Sequence, residues 1–391
     1  MKKIIALLLS AALLIAVAAI PGSAAAKDEA VLRFKDDGTF RIMQFTDTQD
    51  GPALKSATAM FLRDSIEEYE PDLIVLTGDN ISGGSCTTVT LAEIAIARFM
   101  TIFEEYGAPV AAVFGNHDSE CLANREMQME MYEKYDCFVG YADEDLTGCG
   151  TYNLPILSSD GSKVAYNIWM FDSLTYNEES DAVIPGTYPT YPENDLGGYA
   201  CVHKDQIDWY IETSNELKAE NGGEPVPSLL FQHIVVPEIY DALEKDASGK
   251  WILPEGAKGV MNEDPCPPQY TNGQFDAAVA QGDVKAMFFG HDHKNTYEVN
   301  HKGIDLVNTP GSGFGSYGDE NRGVRIIDLN ENDLSTYKTE LVTWRDFYDA
   351  DNTPKYDYLY TYSGNEFEST EQVVAFFKYV FEVLKENFVI C

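Results

Sequence analysis

Residues 72–79 read Asp-Leu-Ile-Val-Leu-Thr-Gly-Asp, a short run of branched apolar side chains that stops on a glycine and a carboxylate. Such a run predicts a buried strand. On its N-terminal side, residues 53–70 place Ala57, Met60, Phe61 and Ile66 in helical steps, and residues 40–47 (FRIMQFTD) are strand-like. On its C-terminal side, residues 90–106 predict a helix closed by Gly107 and Pro109, and residues 110–116 (VAAVFGN) a third strand. The order β-α-β-α-β implies a parallel sheet with crossover helices.

Further along, residues 151–157, 163–172, 228–233, 284–290, 304–308, 323–329 and 334–344 are strand-like, and residues 203–220 and 272–281 helical. The consecutive strands near the C-terminal end predict a second, mixed sheet. Residues 176–198, with Pro185, Pro189 and Pro192, read as a polar surface excursion. From residue 346 the chain turns acidic and Tyr-rich, and Ser369-Thr370-Glu371-Gln372 has the form of a capping box. The stripe Val373, Phe376, Phe377, Val380, Phe381 and Leu384 that follows predicts a helix packed on the core, so residues 346–391 read as an extension of a domain at 27–345.

The N-terminal end has the pattern of a cleaved export signal over residues 1–26: two lysines, an apolar run at 4–20, then Pro21-Gly22 and small residues. The expected location is therefore extracytoplasmic, with no stable membrane insertion once the signal is removed. The first cysteine is Cys86, which argues against a lipid anchor directly after the signal. A formal net charge of −37 opposes binding to nucleic acid polymers or anionic membrane surfaces. An anionic substrate would need local positive charge, which bound metal ions supply. The seven cysteines are odd in number and lack zinc-site spacing. At most one or two bridges are expected, with Cys121, Cys137 and Cys149 the closest set.

The polar residues at the strand ends carry the chemistry. They are Asp47-Thr48-Gln49, Gly78-Asp79-Asn80, Gly115-Asn116-His117-Asp118 and Gly290-His291-Asp292-His293, with Gln232-His233 after the strand that starts at Ser228. Parallel sheets bind ligands outside the carboxyl ends of their strands, so all five ends fall on one rim. Four of the six histidines lie there. One such end alone reads as a capped or hydrogen-bonded structural residue, whereas five together read as a metal centre. Mixed imidazole and carboxylate donors suit Zn, Fe or Mn better than Ca or Mg alone.

This set of blocks, in this order, resembles the calcineurin-like metallophosphoesterase superfamily. The stretches 150–155, 206–209, 233–238, 282–286 and 313–325 are similar to its branch of atypical purple acid phosphatases. The resemblance covers residues 38–330. It implies a four-layer α/β/β/α sandwich of two mixed sheets. It also implies a secreted phosphoesterase that hydrolyses small phosphorylated substrates by attack of a metal-bound hydroxide at a dinuclear centre. In the roles it carries over, Asp79 bridges both metals, Asp47 and His293 hold the first, and Asn116, His233 and His291 hold the second. His117 then faces the leaving group and Asp118 orients it.

Two positions depart from the family pattern. Gln49 stands where relatives have His, and as a ligand it would offer a weaker, neutral carbonyl oxygen. Ser82 stands where purple enzymes have Tyr, so no ferric-tyrosinate colour is expected. Tyr152, Asn153 and the Gly-rich turn at 311–317 read either as turn and core residues or as phosphate contacts. Pro237-Glu238 reads as a turn. Asp292 reads equally as a turn residue or as a support for an imidazole. A nucleotide or cyclic-nucleotide phosphodiesterase shares every ligand, and a non-catalytic metal-binding surface protein is the reading from a different class.

Overall fold

The computed structural model describes residues 31–176 and 198–348, together with positions 374 and 378. The expected signal, most of the polar excursion and the C-terminal apolar stripe lie outside the described residues. In chain order the strands are β1 Thr39–Phe45, β2 Leu73–Thr77, β3 Val110–Val113, β4 Tyr152–Leu157, β5 Val164–Phe171, β6 Ser228–Gln232, β7 Glu244–Lys245, β8 Trp251–Ile252, β9 Val284–Phe289, β10 Glu298–His301, β11 Ile304–Asn308, β12 Gly323–Asn330 and β13 Lys338–Thr343.

One sheet has the order β13-β12-β1-β2-β3, the other β10-β11-β9-β6-β5-β4, and β7 pairs only with β8. The run β1, β2, β3 is parallel, as is the run β5, β6, β9, β11. Antiparallel strands flank the second run on both edges and the first at β1 only, which leaves β3 at the edge of its sheet.

The alternation of β2 shows why four layers form. Leu73 and Val75 join the core between the two sheets, with Phe231, Phe288 and Ile168 opposite. Ile74 and Leu76 point the other way, onto helices Ser56–Tyr69 and Val89–Tyr106. Every β2 residue is thus buried, each large one contributing about 1.5–3 kcal/mol. Helices Lys204–Glu220 and Gln274–Gln281 cover the outer face of the second sheet through Tyr210, Phe275 and Ala278. The molecule is an α/β/β/α sandwich.

The helix Val89–Tyr106 ends as its sequence predicts, on Gly107 in the left-handed conformation at φ 88°. At its start the Thr88 hydroxyl accepts from the Leu91 amide at 3.2 Å.

One expectation needs correction. The consecutive C-terminal strands do not all build the second sheet. Strands β9 to β11 do, but β12 and β13 return to the first sheet, where Ile327 and Leu329 face the inter-sheet core while Val324 and Ile326 face the helices. A short helix, Trp344–Tyr348, follows β13. Trp344 is fully buried there, edge-on to Phe314 at 4.8 Å and to Phe61 at 5.6 Å. Among the described residues no helix is long and apolar enough to cross a membrane.

Candidate metal centre

Three strand-end residues hold a left-handed backbone without being glycine: Asp47 at φ 49°, Asp79 at φ 49° and His291 at φ 69°. Gln49 joins them at φ 38°. Side chains with a Cβ rarely adopt this conformation, and its clustering marks a site whose geometry is enforced by its surroundings. The enforcement is close packing between the loops of the two sheets. A Cβ on Gly78 would lie 2.8 Å from the His233 ring, and one on Gly290 would strike the Thr46 hydroxyl.

The convergence brings together Asp47, Asp79, His233, His291 and His293, all buried. Two donor triplets form, Asp79-His233-His291 and Asp47-Asp79-His293, each with its donor atoms within 4.8 Å of one another. Asp79 belongs to both. His233 Nε2 lies 3.3 Å from Asp79 Oδ2 and 3.9 Å from Asp47 Oδ1, and His293 Nε2 lies 3.2 Å from Asp47 Oδ1.

Backbone carbonyls set the orientation of two rings. His233 Nδ1 donates to the Thr77 carbonyl and His293 Nδ1 to the Tyr317 carbonyl, each at 2.8 Å. Each Nε2 is thereby left for the cluster. The carboxylates are held too. Asp47 Oδ2 accepts from the Thr46 hydroxyl at 2.8 Å and the His291 amide at 2.9 Å. Asp79 Oδ1 accepts from the His117 amide at 2.7 Å.

Electrostatics follow from this crowding. Burial opposes charge on His233, but Asp79 and Asp47 outweigh it and raise the imidazole to about 10. Burial and the neighbouring His233 push His291 down to about 3. Burial likewise opposes charge on Asp47, yet His293 and His233 hold its carboxyl below the ordinary range.

Asp47 Oδ1, His233 Nε2 and Asn116 Oδ1 are buried with no hydrogen-bond partner. Orphaned buried polar atoms are costly, and here they sit among imidazoles and carboxylates, the donor types that suit transition-metal cations. The residues present fit a pair of metal ions.

The other expected residues take varied places. Gln49 is at the cluster, but its amide nitrogen faces Asp79 Oδ2, donating at 2.7 Å. His117 is half-exposed beside it. Asp118 does not orient the His117 ring. Its buried carboxylate accepts from the amides of Asn80 at 2.9 Å, Ile81 at 3.0 Å and Gly115 at 2.7 Å, tying the loop after β2 to the loop after β3. The carboxylate at His117 is that of Glu120, whose Oε2 lies 2.8 Å from Nδ1. The i, i+3 spacing of His117 and Glu120 was the available signal for it. Asp292 supports no imidazole: it accepts from the Cys266 amide at 3.2 Å and its carbonyl takes the Asn308 side chain at 2.9 Å.

Among the possible phosphate contacts, Tyr152 is an interior strut bonded to both backbone groups of Ala112, and Asn153 pairs across strands with Asn167. In the Gly-rich turn, a Cβ on Gly313 or Gly315 would strike the backbone carbonyl of Thr48 or Gln49. Those glycines let the turn lie flat on the loop that carries Asp47. Glu238 starts the short helix Ile239–Ala242. None of the six cysteines among the described residues is bridged. Tyr317, at the end of the Gly-rich turn, stacks on His293 at 4.1 Å, and two further rings were not foreseen: Tyr199 meets His291 edge-on at 4.6 Å, and Tyr176 stacks on Tyr199 at 5.6 Å.

Comparison with known proteins matches residues 40–295 to the family described as calcineurin-like phosphoesterase. Two Arabidopsis thaliana proteins, named "Probable inactive purple acid phosphatase 28" and "Probable inactive purple acid phosphatase 29", are each 30% identical to the chain. The first alignment covers 76% of this chain and 77% of that protein, the second 77% and 79%. Among solved structures, a dimetal phosphatase from Danio rerio is 13% identical with a TM-score of 0.46, over 78% of this chain and 99% of that one.

Proposed function

The chain belongs to the calcineurin-like phosphoesterase family, and from that premise we propose that it hydrolyses small phosphate esters at a two-metal centre, outside the cytoplasm. The observation that carries this reading is the pair of donor triplets that share Asp79. Asp79 would serve both metal ions, Asp47 and His293 would complete one position, and His233, His291 and Asn116 the other. Bound there, the metal pair supplies Lewis acidity to phosphate oxygens and acidifies water toward a pKa of ~7.

The chain's own groups do the rest. The carbonyls of Thr77 and Tyr317 fix which nitrogen of His233 and His293 is offered. Asp118 holds the loops after β2 and β3 at a constant separation through three amides. His117 protonates the leaving oxygen or meets the charge that develops on the phosphoryl group. On this reading residues 27–345 are the catalytic domain, residues 1–26 the export signal and residues 346–391 a C-terminal extension.

The test is chelation followed by a panel of phosphomonoesters and phosphodiesters. Turnover should vanish on chelation and return with Mn, Fe or Zn, and the ratio of monoester to diester rates assigns the class. Full turnover by protein stripped of metal would sink the reading. A second reading is a protein that holds metal without turnover. It is favoured by the Gln49 amide on Asp79 Oδ2 and by the word "inactive" in the relatives' names. Metal binding with no hydrolysis across the panel would select it.

A further inference from the structure

The Tyr176 hydroxyl meets two residues of the centre at once. It accepts from Asn116 Nδ2 at 3.2 Å and donates to Glu120 Oε1 at 3.0 Å. The other Glu120 oxygen lies 2.8 Å from His117 Nδ1.

One proton decides the direction of each bond. A phenol carries a single O–H and an ionised carboxylate only accepts, so the Tyr176 proton goes to Glu120. Asn116 must then present its N–H to the phenol oxygen. That turns its carbonyl oxygen away, into the buried position where it has no partner. On the other arm, His117 Nδ1–H donates to Glu120 Oε2, which leaves Nε2 as the nitrogen free for chemistry.

The brace is itself held. Tyr176 stacks on Tyr199 at 5.6 Å and forms a backbone bridge with it, and Tyr199 leans on His291. A Cβ on Gly83 would strike the His117 carbonyl and come within 2.7 Å of Glu120 Cβ, so the turn at 82–85 fixes the backbone under Glu120.

We propose that Tyr176 and Glu120 are positioning residues: one hydroxyl aims the Asn116 carbonyl oxygen at a cation and, through Glu120, sets the His117 imidazole for the leaving group. The proposal rests on the reading that Asn116 holds a metal and His117 serves the leaving group. The His117–Glu120 pair is about 40% exposed, with side-chain values of 41% and 39%. Exposed pairs contribute little to stability, so replacing these residues probes geometry and not folding.

The experiment uses the full chain as wild type, Tyr176→Phe, Glu120→Gln, the double variant and His117→Ala. Mn and Zn binding is titrated by calorimetry, and kcat and KM are measured on aryl phosphates of graded leaving-group basicity. Tyr176→Phe should weaken one metal equivalent roughly 10–100-fold, the range for removing a partner of a metal ligand, and leave the other unchanged. Glu120→Gln should leave both equivalents unchanged, lower kcat and not KM, and cost most on poor leaving groups. The two act in series on His117, so the double variant should lose no more kcat than the larger single loss.

Unchanged metal affinity in Tyr176→Phe overturns the Asn116 arm. Unchanged leaving-group dependence in Glu120→Gln, beside a changed one in His117→Ala, overturns the His117 arm while the catalytic reading stands. If wild type binds metal but turns nothing over, the catalytic reading and the His117 arm fail together, and the calorimetric comparison still decides the Asn116 arm. Equal melting temperatures across the set confirm that each variant folds.

Discussion

At the residue scale the site divides into groups that hold and groups that act, and replacement separates them. His117 contributes its backbone amide to Asp79 but its ring to Glu120, so removing the ring leaves the amide in place. His117→Ala should keep metal content near that of wild type and cut turnover roughly 10²–10⁴-fold, with the smallest loss on esters whose leaving group needs no proton. Metal analysis beside kinetics checks it, and loss of metal would mean that the ring is a ligand. Gln49 offers Asp79 an amide donor. Gln49→His should tighten one metal equivalent in calorimetry and shift preference toward Zn. No change in either equivalent would show that the position serves only the backbone. Glu238 is a separate case, away from the metal donors. Burial raises its carboxyl from 4.5 to about 7. Between those values the folded state binds more protons than the unfolded, so this group's contribution is full below pH 4.5 and falls as pH rises to about 7. Glu238→Gln should therefore match wild type in chemical denaturation near pH 4.5 and be more stable at pH 8, by on the order of 3 kcal/mol at most.

At the scale of elements, the helix Arg125–Tyr132 is tied to the end of β5 by one buried ion pair. Arg125 Nη1 meets both Asp172 oxygens, at 2.8 and 2.7 Å, in a buried pair at the end of β5. The Asp172 carboxylate also accepts from the amides of Cys149 at 2.7 Å and Leu174 at 2.8 Å. Arg125→Met would leave that charge buried without its cation, and a loss of roughly 3–5 kcal/mol in denaturant unfolding is expected. A loss under about 1 kcal/mol would mean that the two amides suffice for Asp172. The sequence showed the strands other than β7, β8 and β10, and the two long helices on the first sheet, whose apolar periods are long and, at Gly107, closed by a glycine. It did not show the helix Arg125–Tyr132, half of whose eight residues are polar or charged and which buries Arg125 and Gln128 beside Met129 and Met131. Nor did it show which sheet takes β12, because its alternation fits either sheet. The strand ends were legible as metal donors, since carboxylates and imidazoles after apolar runs are rare. The partners of those donors were not, because Thr77, Tyr317 and Tyr176 act through a carbonyl or hydroxyl that no spacing advertises.

For the whole molecule, a net charge of −37 sets the field that any phosphate ester must cross. Repulsion between exposed charges is screened over ~10 Å at 0.1 M salt. The value of kcat/KM for an anionic ester should therefore rise several-fold as inert salt is added from low ionic strength, the reverse of a steered encounter. A fall with salt would show that the local field of the metal-loaded centre dominates approach. The position of β1 bears on a different matter, the time course by which the molecule comes into being. This strand is flanked by β2 on one side and by β12 on the other, so Thr39 is paired with Asn330. Contacts between segments so distant in the chain are slow to form, because loop closure precedes any gain from pairing. While the ribosome is still making the middle of the chain, β1 has one open edge, and an unpaired edge of that kind invites association between nascent copies. His291 and His293 also lie late in the chain, so neither donor triplet is complete until β9 has been made.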